Sequence, residues 1–128
     1  MYVYFNPNPN GNTRASDCVV RAISKLENLN WEETYFALML KGYEMADMPN
    51  VNHVWGQYLY EHGYRQYTIP NTCPRCYTVY DFVKDFPKGA YLVATGTHVI
   101  AVIDGDWYDT GDTGNEVITY FWTKEQME

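Results

Sequence analysis

An α+β domain is what the sequence predicts, and three observations predict it. Helix-period apolar patterns fill the first half of the chain. Short β-rich runs fill the last third. An Asp104-Gly105 turn signal joins two of those runs as neighbouring antiparallel strands. At 128 residues the chain is one ordinary domain, residues 1–128. That length is enough to bury a core without staples.

The elements follow in order. Residues 2–5 alternate weakly and read as a short strand. Residues 6–13, Asn-Pro-Asn-Pro-Asn-Gly-Asn-Thr, are a loop. Ser16 or Asp17 caps a first helix, with Val19, Val20, Ala22, Ile23 and Leu26 on its apolar face. Asn30 caps a second helix, with Glu33 completing a variant capping box. Trp31, Tyr35, Leu38, Met39 and Tyr43 form its expected buried stripe. A third helix runs from about Asn52 to His62, with Val54, Trp55, Tyr58 and Leu59 inward and Gly63 as its stop. Residues 64–69 read as a strand ended by Pro70. Thr78 and Asp81 open a short helix through Val79, Phe82, Val83 and Phe86. Strands are expected over residues 90–94, 98–103, 106–109 and 117–122, with a Gly/Asp loop at 111–115. The expected layout is N-terminal helices packed on a C-terminal antiparallel sheet.

Composition excludes several functions. The chain is 46% hydrophobic and 17% aromatic, which rules out a disordered segment. Its formal net charge is −7, and no basic run exceeds two residues, so it is poorly suited to hold nucleic acid or an anionic membrane. No apolar run approaches the roughly 20 residues of a membrane span. The N-terminus carries no signal-peptide pattern, so a cytosolic protein is expected.

Three cysteines are an odd number, which argues against a disulfide framework and for reduced thiols. Cys73-Pro74-Arg75-Cys76 has no second pair to complete a zinc site. It reads first as an incidental loop pair, with zinc or a disulfide as the alternatives. No cofactor or metal is called for.

Chemistry is suggested by Asp17-Cys18-Val19-Val20-Arg21. A cysteine in the first turn of a helix faces unpaired N–H groups and the positive dipole end, and both favour thiolate. A lone free cysteine is more often packing. His98 changes that balance: it opens the strand Val99–Ile103, where an imidazole can take the thiol proton. His53 and His62 are explained by helix packing and surface. Asp109, across the Asp104-Gly105 turn, is placed to orient His98, with Asp112 as the fallback. The Cys18 N–H offers one oxyanion donor, and Asn12, six residues upstream, is the candidate for the other.

These residues resemble the papain-like cysteine peptidase superfamily. Cys18, His98 and Asp109 follow its Cys–His–Asp/Asn order. Asp17-Cys18 is similar to the Asp-Cys start of bacteriocin-leader peptidases, and Asn12 stands where those enzymes carry Gln. The stretch from Thr97 to Asp109 is similar to their His-strand, turn and Asp-strand. Small phage-encoded proteins of this kind are closest in size. The resemblance implies a papain-like fold and a thiol hydrolase of peptide or isopeptide bonds, with a catalytic triad of Cys18, His98 and Asp109. Its alternatives are a papain-like binding module, such as a phage protein that captures a host factor, or a cell-wall amidase or acyl transferase. The implied partner is a peptide or protein substrate.

Overall fold

A computed structural model describes residues 1–127. Among them the chain forms β1 (Tyr2–Tyr4), α1 (Cys18–Glu27), α2 (Trp31–Met45), α3 (Asn52–Glu61), β2 (Arg65–Thr68), α4 (Val79–Asp85), β3 (Ala90–Ala94), β4 (Val99–Ile103), β5 (Asp106–Asp109) and β6 (Tyr120–Thr123). The six strands make a sheet in the order β1-β5-β4-β3-β6-β2. The α+β class is therefore observed.

The sheet is buried on both faces, and the period of two in its central strands shows how. Leu92, Ala94, Val99 and Ala101 join one apolar cluster with Ala22 and Ile23 of α1, Leu38 of α2 and Trp55 and Leu59 of α3. Their neighbours Val93, Ile100 and Val102 face the other way, into a cluster with Val79 and Phe82 of α4. Three layers result: α1–α3, sheet, α4. Burial on both faces explains why β4 is an unbroken apolar run rather than an alternating one. The hairpin turn forms as expected, with Asp104 at φ 50° and Gly105 at φ 82°. Positive φ at both central residues is what a type I′ turn demands, and Asp-Gly supplies it at low cost.

Both side-chain capping boxes are present, Asn30 with Glu33 and Thr78 with Asp81. The α3 face is also as expected, with Val54, Trp55, Tyr58 and Leu59 buried. Four expectations are corrected. In α2 the buried residues are Thr34, Leu38 and Gly42. Tyr35, Met39 and Tyr43 are exposed, Tyr43 by 84%. The apolar residues of α2 surround much of the helix, so sequence period alone does not pick the inner face. The sheet is not wholly antiparallel, because β1 pairs with β5 in parallel. The last strand is Tyr120–Thr123, with Val117 in an isolated bridge to Thr78. Finally, Cys73 and Cys76 are joined as a disulfide. Odd-number arithmetic cannot detect a pair that closes on itself three residues apart.

Candidate active site

α1 begins at Cys18, and Asp17 before it makes no side-chain cap bond. The Asp17 carboxylate is turned inward instead. Its Oδ1 accepts from Arg21 Nη1 at 2.9 Å, and its Oδ2 from Trp31 Nε1 at 2.9 Å and Asn8 Nδ2 at 3.3 Å. α1 is thereby fastened to α2 and to the preceding loop, and the first helical turn is held against β4.

His98 is the last residue of the β3–β4 connection. Thr95 N–H donates to the His98 carbonyl at 2.8 Å, and His98 N–H donates to Thr95 Oγ1 at 3.0 Å. This tight turn fixes the imidazole over the start of α1. The ring and the Val99 N–H lie beside the Cys18 sulfur and both favour its ionised form. Its Nε2 lies 2.6 Å from Asp109 Oδ2. Nδ1 is therefore the nitrogen that serves the thiol.

Asp109 ends β5 and is 2% exposed. The pairing Ala101↔Tyr108, continued by one residue, sets it across from Ile100, two positions from His98. β1 holds its backbone from the other side: Phe5 N–H donates to its carbonyl at 2.9 Å and Tyr2 Oη at 3.1 Å. Its carboxylate also takes the Thr110 N–H at 2.7 Å, Thr113 Oγ1 at 3.1 Å and Arg21 Nη2 at 3.0 Å. Every lone pair is occupied, which is how a buried carboxylate keeps its charge.

The charges reinforce one another. Burial pushes the Cys18 thiol up. The hydrogen bonds from His98 and the Val99 N–H, with the positive charges of His98 and Arg21, outweigh it, and the thiol lies below its ordinary value. The Asp109 hydrogen bond, then the Cys18 hydrogen bond, raise His98 to about 9 against burial. Burial also opposes ionisation of Asp109, yet its His98 contact and the Arg21 charge hold it below the usual carboxylate range. The arrangement therefore shifts the pair toward thiolate and imidazolium.

A cleft of about 460 Å3 opens at Cys18 and His98, with Trp55, Asn50 and Asn52 among its walls. Protein-family models, curated proteins and solved structures offer no match. The geometry stands alone.

The structure brings Cys18, His98 and Asp109 together and does not bring in Asn12. That residue is exposed in its loop, and its side-chain oxygen accepts the Arg14 N–H at 2.9 Å. The cleft wall begins one residue later, at Thr13, and the amides that line it are Asn50 and Asn52. Asp112 is committed elsewhere, accepting from Trp107 Nε1 at 3.0 Å and the Gly114 N–H at 2.9 Å. His53 pairs with Asp47 at 2.7 Å on the surface, and His62 stacks on Tyr58. Arg21, bridging Asp17 and Asp109, is the functional residue that sequence reasoning missed. Its signal was an arginine four residues after Asp17, set among Cys18, Val19, Val20, Ala22 and Ile23. Among the described residues no helix is long and apolar enough to cross a membrane.

Proposed function

We propose that the protein is a thiol hydrolase of peptide or isopeptide bonds, built on a papain-like fold. The observation that carries this reading is the chain Cys18–His98–Asp109, with the His98–Asp109 contact at 2.6 Å and the thiol lowered by its His98 bond. The Cys18 thiolate attacks a carbonyl carbon, and the Cys18 N–H faces the oxygen that becomes negative. His98 gives its Nδ1 proton to the leaving amine, and a thioester remains. Neutral His98 then takes a proton from water, which attacks the thioester. The acid leaves, and the thiolate–imidazolium pair is restored. Asp109 keeps the ring oriented throughout and stabilises its charged form.

The site of action in this reading is a cytosol, bacterial or phage-infected. The substrate is a peptide or protein. The position of Asn12 favours one second reading, a papain-like module that binds a host protein with little turnover, because Asn12 is exposed in its loop, its side-chain oxygen taken by the Arg14 N–H, and it does not line the Cys18 cleft.

The test is alkylation by iodoacetamide at pH 6, followed by mass spectrometry. Native Cys18 should react at least about tenfold faster than Cys18 in the unfolded chain, where the thiol has its ordinary pKa. A native rate no faster than the unfolded one rejects the hydrolase. Rapid alkylation with no cleavage of any peptide in a random library favours the binding module.

A further inference from the structure

Against the same stretch of α1 lies a second cavity, of about 340 Å3. Its walls come from Val19 and Val20 of α1, Trp31, Tyr35 and Leu38 of α2, and Met48 before α3. Ala15, Ser16, Val19 and Asn50 border both this cavity and the Cys18 cleft, so the two are neighbours across one shared rim.

The chemistry of the walls decides what it holds. Leu38 at its floor is 2% exposed, while Tyr35 and Met48 at its mouth are 38% and 62% exposed. Of the polar groups inside, Trp31 Nε1 and both Asp17 oxygens are already spent, the oxygens on Arg21, Trp31 and Asn8, while Ser16 and Asn50 stand at the rim shared with the Cys18 cleft and the Tyr35 ring is at the mouth. A charged group reaching the floor between Leu38, Val19 and Val20 would lose water and meet apolar walls there. An apolar group would cover wet apolar surface. The volume suits one large side chain and is at the small end of ligand pockets.

We infer that this cavity is a specificity subsite that takes one bulky apolar side chain of the substrate, next to the bond attacked by Cys18. The inference rests on the thiol-hydrolase reading. It names the substrate class as peptides carrying a residue such as Leu, Met or Phe near the scissile bond. A polar or acidic residue at that position is rejected. Discrimination in an apolar pocket of this kind is about 10- to 200-fold.

Substituted chloroacetamides test it on the whole chain, because they alkylate Cys18 directly and their tails explore the neighbouring surface. The probes are chloroacetamide itself, its N-benzyl, N-phenethyl and N-phenylbutyl derivatives, and N-(2-carboxyethyl)chloroacetamide. Each rate is divided by the rate with glutathione, which removes intrinsic reactivity. The best apolar tail should exceed the carboxylate tail by at least about tenfold. Tyr35→Ala should shrink that ratio by opening the wall. Met48→Lys should shrink it further by offering the carboxylate a partner. If chloroacetamide labels Cys18 rapidly but the ratio stays within about twofold, the subsite is overturned and the hydrolase stands. A large ratio that survives in both variants overturns it as well. If native Cys18 is no more reactive than unfolded Cys18, the hydrolase falls and the subsite falls with it.

Discussion

Asp109 Oδ2 meets His98 Nε2 at 2.6 Å, and this contact rather than the thiol contributes most to keeping the imidazole charged. The ring is therefore a ready proton donor across the neutral range. It faces a sulfur whose ionised form the same ring favours.

A pH profile follows from that pair. Hydrolysis needs thiolate and imidazolium together, so kcat/KM should be bell-shaped. The acid limb reports protonation of the lowered Cys18 thiol. The alkaline limb falls near pH 9, where His98 loses the proton that the leaving amine requires. Asp109→Asn removes the largest cause of the raised His98 value, so the alkaline limb should move to lower pH. The rate should fall on the order of 10³- to 10⁴-fold. An alkaline limb left in place by Asp109→Asn would separate Asp109 from the chemistry.

Arg21 should matter first to folding. Its guanidinium reaches two carboxylates at 2.9 and 3.0 Å, and all three side chains are 7% exposed or less. Arg21→Met leaves two buried acids without their shared cation, and breaking such an arrangement costs roughly 3–5 kcal/mol. Arg21→Lys should recover only part of the loss, because one ammonium cannot reproduce a two-pronged guanidinium. Guanidinium chloride unfolding reads both. A midpoint for Arg21→Met within error of wild type would mean the network carries no net stability.

The cysteines can be counted. One of the three is free, Cys18, and the other two are joined. Unfolded, non-reduced protein should release about one equivalent of thiolate with a chromogenic disulfide reagent, and about three after reduction. A loop this short gains little from closure, about 2 kcal/mol at most. Cys73→Ser with Cys76→Ser should therefore stay folded and keep native Cys18 labelling. Three thiols in protein made under oxidising conditions would contradict the pairing.

Gly42 sets a steric test for the wall of the apolar cavity. A Cβ there would fall 2.7 Å from the Asp47 carbonyl oxygen and 3.1 Å from Pro49 N. Both neighbours are backbone and yield poorly. Glycine to alanine inside a helix gains about 1 kcal/mol of propensity, while overpacking costs about 1–3 kcal/mol. The clash should win, and Gly42→Ala should lower the denaturation midpoint. A raised midpoint would show that the segment at Asp47–Pro49 adapts freely.

Local chemistry was the legible part of the fold. Asn30 with Glu33, Thr78 with Asp81, and Asp104-Gly105 each signal structure within a four-residue window, and each forms. Cys18, His98 and Asp109 were found because helix start, strand start and hairpin register are also local patterns. What escaped was set by distant partners. Asp17 looks like a cap until Arg21, Trp31 and Asn8 claim its oxygens. The parallel seat of β1 beside β5 joins residues more than a hundred positions apart, and no short window contains it. Asn12 was chosen by spacing alone, and spacing does not say where a loop of Asn, Pro and Gly points. In α2, apolar residues on several sides left the inner face to be chosen by α1 and α3.

The Arg21–Asp109 ion pair spans 88 residues of chain. A ribosome delivers Cys18 early and Asp109 late. Until the β4–β5 hairpin has emerged and closed, the thiol lacks its base, Arg21 lacks its second carboxylate, and the half-made protein carries an ordinary cysteine. The site proposed for the hydrolase is thus assembled only when the β4–β5 hairpin is in place beside α1.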